Sequence, residues 1–184
     1  MIFFRCEVSE AIGWGHLKRC ITLAKYINEY STTVFLMSRF SQVAKEAIEQ
    51  IGSLLHVIPE GLAYEDEIEF YPAPCQNIIV DLGHRDNLSH PNVYVKYLHA
   101  LTSFGCRVVV IDGLGKESFR HKEVPMIKAY IQPYWGVPNE TRPHSEFWFQ
   151  GPEFVLVDEI YYLGFKKRSS SSVKNLLITF GGSD

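Results

Sequence analysis

"MIFFRCEVSEAIGWGHLKRCITLAKYI" (residues 1–27) runs from an unbroken apolar stretch, through two glycines one residue apart, into a helical stripe. Ile2, Phe3 and Phe4 show no polar alternation, so both faces of this strand call for cover, as in a parallel sheet lined by helices. Leu17, Cys20, Ile21, Ala24 and Ile27 then fall at i, i+3, i+4, i+7 spacing, with Lys18, Thr22, Lys25 and Asn28 on the other side. Strand, glycine turn and helix in that order are the opening of a βαβ unit.

The same code repeats down the chain. Apolar runs recur at 32–38 ("TTVFLMS"), 54–58 ("LLHVI"), 77–82 ("NIIVDL"), 107–112 ("RVVVID") and 175–180 ("NLLITF"). Between them a stripe of Val43, Ala47, Ile48 and Ile51 stops at Gly52, and a further helical segment opens at Pro91 and closes at Gly105. This alternation predicts the α/β class, as a Rossmann-like, doubly wound parallel sheet. After residue 112 the pattern loosens: "YIQPYWGVPNETRPHSEFWFQGPEF" (130–154) is aromatic and proline-rich, and no element is assigned there. The Rossmann-like domain is read as residues 1–168. "RSSSS" (168–172) reads as a linker, and 169–184 would carry the chain into a second domain, because a strand followed by "GGSD" opens a new βα unit.

With 184 residues, 46% hydrophobic and 21% charged, the chain is long enough and apolar enough for one domain with a full core. A formal net charge of −3 and scattered cations give no basic face for a nucleic-acid backbone, and "KKR" at 166–168 reads as solvated loop. Cys6, Cys20, Cys75 and Cys106 share no C-x-x-C spacing and sit in apolar stretches. Reduced core thiols in a cytoplasmic protein are expected, with neither a disulfide frame nor a metal site. Arg5 and Glu7 cut short the opening apolar run, unlike a secretion leader, and no apolar run approaches the roughly 18 residues of a membrane span.

Open parallel sheets bind ligands beyond the carboxyl ends of their strands. The first strand delivers Arg5 and Glu7, then Gly13 and Gly15, then His16 and Arg19. The fourth delivers Asp81, with His84, Arg85 and Asp86 just beyond, and the fifth delivers Asp112. The glycines let backbone approach a ligand, and the start of the helix favours a phosphate or an oxyanion. The same field disfavours imidazolium, which suits His16 to accept a proton from water as a general base. Arg19, one turn on, suits an anionic group or the orientation of an acid. A plainer alternative is a tight turn whose histidine caps the helix. Asp81 would fix His84 or a substrate hydroxyl, Asp112 would meet the ligand or cap a turn, and Tyr134 and Trp135 would form an apolar wall or join the core. A dinucleotide reading is weak, because the loop lacks the third glycine and the second strand ends at Ser38-Arg39 rather than at an acid.

Taken together, "RCEVSEAIGWGHLKRCITLAKYI", "IIVDLGHRD", "VVVID", "GPEFVLV" and "LLITFGGSD" resemble, in the same order, the nucleotide-sugar hydrolases of pseudaminic acid biosynthesis and their spore-coat polysaccharide relatives. The family's opening is R-x-D, a polar stretch, G-x-G-H-x-x-R, and a helix with L-A. Here Glu7 stands in place of the Asp, and Gly113 follows Asp112 where a second Asp is common. The resemblance implies the N-terminal half of a GT-B fold like that of the MurG-like glycosyltransferases. It implies cleavage of a UDP-linked 2,4-diacetamido-2,4,6-trideoxy sugar by water, without metal or cofactor, and with His16 as base. Arg5, Glu7, Gly13, Gly15, Arg19, Asp81, His84 and Asp112 would surround the sugar. Gly181, Gly182, Ser183 and Asp184 would begin a nucleotide-binding C-terminal domain, the rest of which is expected to be absent here. Two alternatives stay open: a glycosyltransferase of the same fold, and a non-catalytic domain that binds a sugar or a partner.

Overall fold

The computed structural model describes residues 1–10, 12–72, 74–82, 91–111, 124–133, 144–159 and 161. Seven strands pair in parallel as one sheet. They are β1 (Ile2–Cys6), β2 (Thr33–Met37), β3 (Leu54–Val57), β4 (Asn77–Asp81), β5 (Arg107–Ile111), β6 (Ile127–Gln132) and β7 (Ser145–Gln150). The described helices are α1 (Gly15–Ile27), α2 (Gln42–Gln50) and α3 (Pro91–Ser103). Strand order is β3-β2-β1-β4-β5-β6-β7, so the chain winds outward one way from β1 and then the other way from β4. This is the doubly wound, Rossmann-like α/β sheet that the alternation predicts.

The two faces of the sheet bury different residues of the same strands, because successive side chains of a strand point to opposite sides. Phe4 and Cys6 of β1, Phe35 and Met37 of β2, and Ile79 of β4 pack with Leu17, Cys20 and Ala24 of α1 and Ala44 and Ile48 of α2. Phe4 and Phe35 stack with ring centroids 5.0 Å apart. Phe3, Leu36, Ile78 and Val80 face the other way, against Tyr94, Tyr97, Leu98 and Leu101 of α3. Each fully buried Leu or Phe contributes about 1.5–3 kcal/mol. The four cysteines are free and buried, as their apolar settings suggest.

Three local readings shift. On α2 the buried pair is Ala44 and Ile48, while Val43 is 61% exposed. The Ser41 hydroxyl accepts from the Ala44 N–H at 3.2 Å and starts the helix there, and Ile48, sealed on the sheet, sets its phase. β3 is an edge strand, so its apolar run is covered incompletely and Leu54 and Val57 stay exposed. The aromatic region that resisted assignment supplies β6 and β7, two more parallel strands. The linker and the strand at 175–180 lie outside the described residues.

Candidate functional site

Strand order reverses between β1 and β4, whose last residues, Cys6 and Asp81, are register partners. At such a reversal the connections leave in opposite directions and open a crevice at the carboxyl edge. The loop after β1 reaches it through Gly13, at φ +75°, a conformation that a side chain would strain. Gly15 then begins α1, and a β-carbon there would meet open space. Trp14 occupies the cap position without any side-chain cap bond, so His16 is not a capping residue; its ring turns inward to the end of β4 instead.

His16 and Arg19, three residues apart on α1, converge on Asp81. His16 Nδ1 lies 2.6 Å from Asp81 Oδ1. Arg19 donates to both carboxylate oxygens, from Nε to Oδ2 at 3.0 Å and from Nη2 to Oδ1 at 2.7 Å. Asp81 is fully buried, while the His16 and Arg19 side chains are 16% and 21% exposed. The network decides the tautomer. The Asp81 carboxylate, which accepts from Arg19 at both oxygens, accepts from His16 too, so the hydrogen sits on Nδ1 and Nε2 is left as the acceptor. Arg19 Nη2 also comes within 3.0 Å of Nδ1, but two donors cannot share that pair and the contact is one of proximity. The result is an oriented imidazole, a carboxylate that would stabilise its protonated form, and a guanidinium that offsets the buried carboxylate. Arrangements of this kind prime histidine for proton transfer.

Two cavities flank the loop. One of about 540 Å³ opens on the β2 side, between Gly13, Trp14, Phe40 and the exposed Arg39. The other, about 390 Å³, lies along the outer flank of α1 and includes Gly15 and Arg19 in its wall.

Arg5 and Glu7 sit on the opposite face of the sheet from the His16 cluster. Arg5 is fully buried and clamps Glu67, from Nε to Oε2 at 2.8 Å and from Nη2 to Oε1 at 2.7 Å. Its Nη2 also donates to Glu7 Oε1 at 2.7 Å, and Nη1 donates to the Cys6 carbonyl at 3.1 Å. Burial alone would lower the Arg5 pKa, but Glu67 and Glu7 reverse that and hold it well above the ordinary value. Burial likewise pushes Glu7 up; Arg5 and the Ser38 hydroxyl, 2.6 Å away, overcome this and leave its carboxyl below the usual glutamate range. Glu67 stands in the acidic run "YEDEIEF" (64–70) and received no role from sequence reasoning. The available signal was Arg5 itself, a cation in an apolar strand that demands a buried acid.

Among the other candidates, His84, Asp112, Tyr134, Trp135, Gly181, Gly182, Ser183 and Asp184 lie outside the described residues. Among the described residues, no group of three or more histidine, cysteine, aspartate or glutamate side chains could hold a metal ion, and no helix is long and apolar enough to cross a membrane. Compared with known protein families, with curated proteins and with solved structures, the chain matches none of them.

Proposed function

We propose that this chain is the sugar-facing half of a nucleotide-sugar hydrolase, acting in the cytoplasm on a UDP-linked diacetamido-trideoxy sugar. The observation that carries the reading is the 2.6 Å contact between His16 Nδ1 and Asp81 at the point where strand order reverses. It leaves Nε2 as a proton acceptor at the edge where open α/β sheets bind their ligands. In the reaction, Nε2 takes a proton from water as the water oxygen bonds to the anomeric carbon, and the bond from that carbon to the UDP oxygen breaks. Asp81 stabilises the imidazolium that forms, and Arg19 holds Asp81 in place through both carboxylate oxygens. The 540 Å³ cavity on the β2 side of the loop, walled by Trp14 and Phe40 and not by His16, is large enough for a sugar ring. The nucleotide would be held by a second domain of the kind that "GGSD" opens in the family resembled.

The test is release of UDP from such a UDP-sugar with no acceptor present, by this chain joined to the nucleotide-binding domain. Release with a free sugar as co-product is expected. Turnover only when an acceptor hydroxyl is supplied would replace hydrolysis by glycosyl transfer, and binding without turnover would remove the enzyme reading.

A further inference from the structure

We infer that a second ligand site lies on the outer flank of α1, and that it takes a monoanion with an apolar body, such as a medium-chain carboxylate. The site is the cavity of about 390 Å³ between α1 and Leu156, Val157, Asp158 and Tyr161. Small-molecule sites occupy about 300–1,000 Å³, so this space admits a ligand rather than a few waters. Ile21, Leu156 and Val157 supply an apolar wall, and Lys18 and Arg19 stand in the lining with a single acid, Asp158. That acid is held by Lys25 at 2.6 Å, from outside the cavity. Arg19 is engaged by Asp81 and Asp158 by Lys25, so the charge that the lining offers a ligand is that of Lys18, which favours a single anionic head. Thr22 and Tyr161 are the hydroxyl side chains of the lining, too few to recognise a sugar by its hydroxyls. A lone inorganic anion would leave the apolar wall unused.

The cavity is coupled to the site already described. Arg19, a residue of the cavity wall, holds both oxygens of Asp81 through its guanidinium. An anion seated beside Arg19 competes with Asp81 for that charge and alters the hold on His16. The inference is independent of the hydrolase reading, since it requires only the cavity, its charge and this shared wall.

The experiment uses the chain as it stands and measures its thermal midpoint against octanoate, octan-1-ol and acetate at matched millimolar concentration. Octanoate should raise the midpoint in the saturable way of a ligand that binds the native state, while the alcohol and acetate give a small fraction of that shift. Lys18→Gln should weaken octanoate binding about tenfold, the loss expected for one charge-assisted contact. Val157→Trp should fill the cavity and abolish the shift, and because Lys18 is exposed, the first variant tests the site even if the second does not fold. Equal stabilisation by octanol would overturn the anion requirement. An octanoate shift unchanged in Lys18→Gln would place binding elsewhere and overturn the site. Chemical-shift changes at His16 that saturate with octanoate are expected from the shared Arg19, and their absence would remove the coupling.

Discussion

Arg5 and Arg19 make nearly the same contacts on opposite faces of the sheet, and the difference between them separates architecture from chemistry. Each grips a buried carboxylate through two of its nitrogens, Glu67 for Arg5 and Asp81 for Arg19. Around Arg5 everything is closed: the guanidinium is fully buried, Glu7 and Glu67 are both buried, and Tyr64 lies 5.8 Å from the cation. Around Arg19 the carboxylate is sealed but the cation is 21% exposed and a partly open histidine joins the pair. A closed, fully paired cluster specifies how the strand and the segment near Glu67 come together. A cluster with an open, oriented imidazole can exchange a proton with a ligand. Satisfied ion pairs are thus poor markers of function until exposure is added to them.

Substitutions should pull this contrast apart. Arg5→Ala strands two buried carboxylates and should cost about 3–5 kcal/mol, a large share of the 5–15 kcal/mol typical of a domain. A collapse of the urea midpoint would register it, with Arg5→Lys recovering only part, since lysine cannot make the two-pronged contact. His16→Ala belongs to the other side of the contrast. UDP release should fall by about 10²–10⁴-fold while the thermal midpoint barely moves, and a variant that melts early instead would make His16 part of the architecture. Arg19→Ala leaves Asp81 buried without its cation. Because Arg19 is partly exposed, water replaces some of what is lost and the expected destabilisation is smaller, about 1–3 kcal/mol by urea titration. A loss as great as that of Arg5→Ala would erase the distinction between the clusters.

The smallest effect concerns pH. Glu7 has a folded pKa below its unfolded one, so its contribution is fully present above the ordinary glutamate value of about 4.3 and disappears as pH falls through the lower, folded value. Urea midpoints should hold between pH 7 and about 5 and then decline, with the decline shallower in Glu7→Gln. An unchanged slope in that variant would assign the acid sensitivity to other carboxylates.

Much of the fold was legible because parallel strands covered on both faces read as unbroken apolar runs, and β1, β2, β4 and β5 all do. α1 was legible in detail, with Leu17, Cys20 and Ala24 sealed as its stripe predicts. β6 and β7 were hidden because charge enters them: Lys128 pairs with Glu146 at 2.6 Å across the two strands, a stabilisation that a single strand's sequence does not display. Of the site, His16, Arg19 and Asp81 were all named as candidates, yet Asp81 was assigned to His84, which lies outside the described residues, or to a substrate hydroxyl, and its contact with His16 was not foreseen. Residues 65 positions apart carry no spacing signal, and only the pairing of β1 with β4 brings them within a hydrogen bond.

By itself the amino-acid order determined an α/β chain with parallel strands, a glycine turn that lifts backbone toward a crevice, and a helix that begins with histidine and arginine on one side. Those are local properties, set by which neighbours are apolar and by what the backbone permits. Tertiary structure alone decided that Arg5 turns to the face of α3 while Asp81 turns to the face of α1. The alternation along a strand tells that neighbouring side chains part company, but not which helix waits on either side; that depends on the path of the crossovers. One arginine was thereby closed into the frame and the other left at the opening.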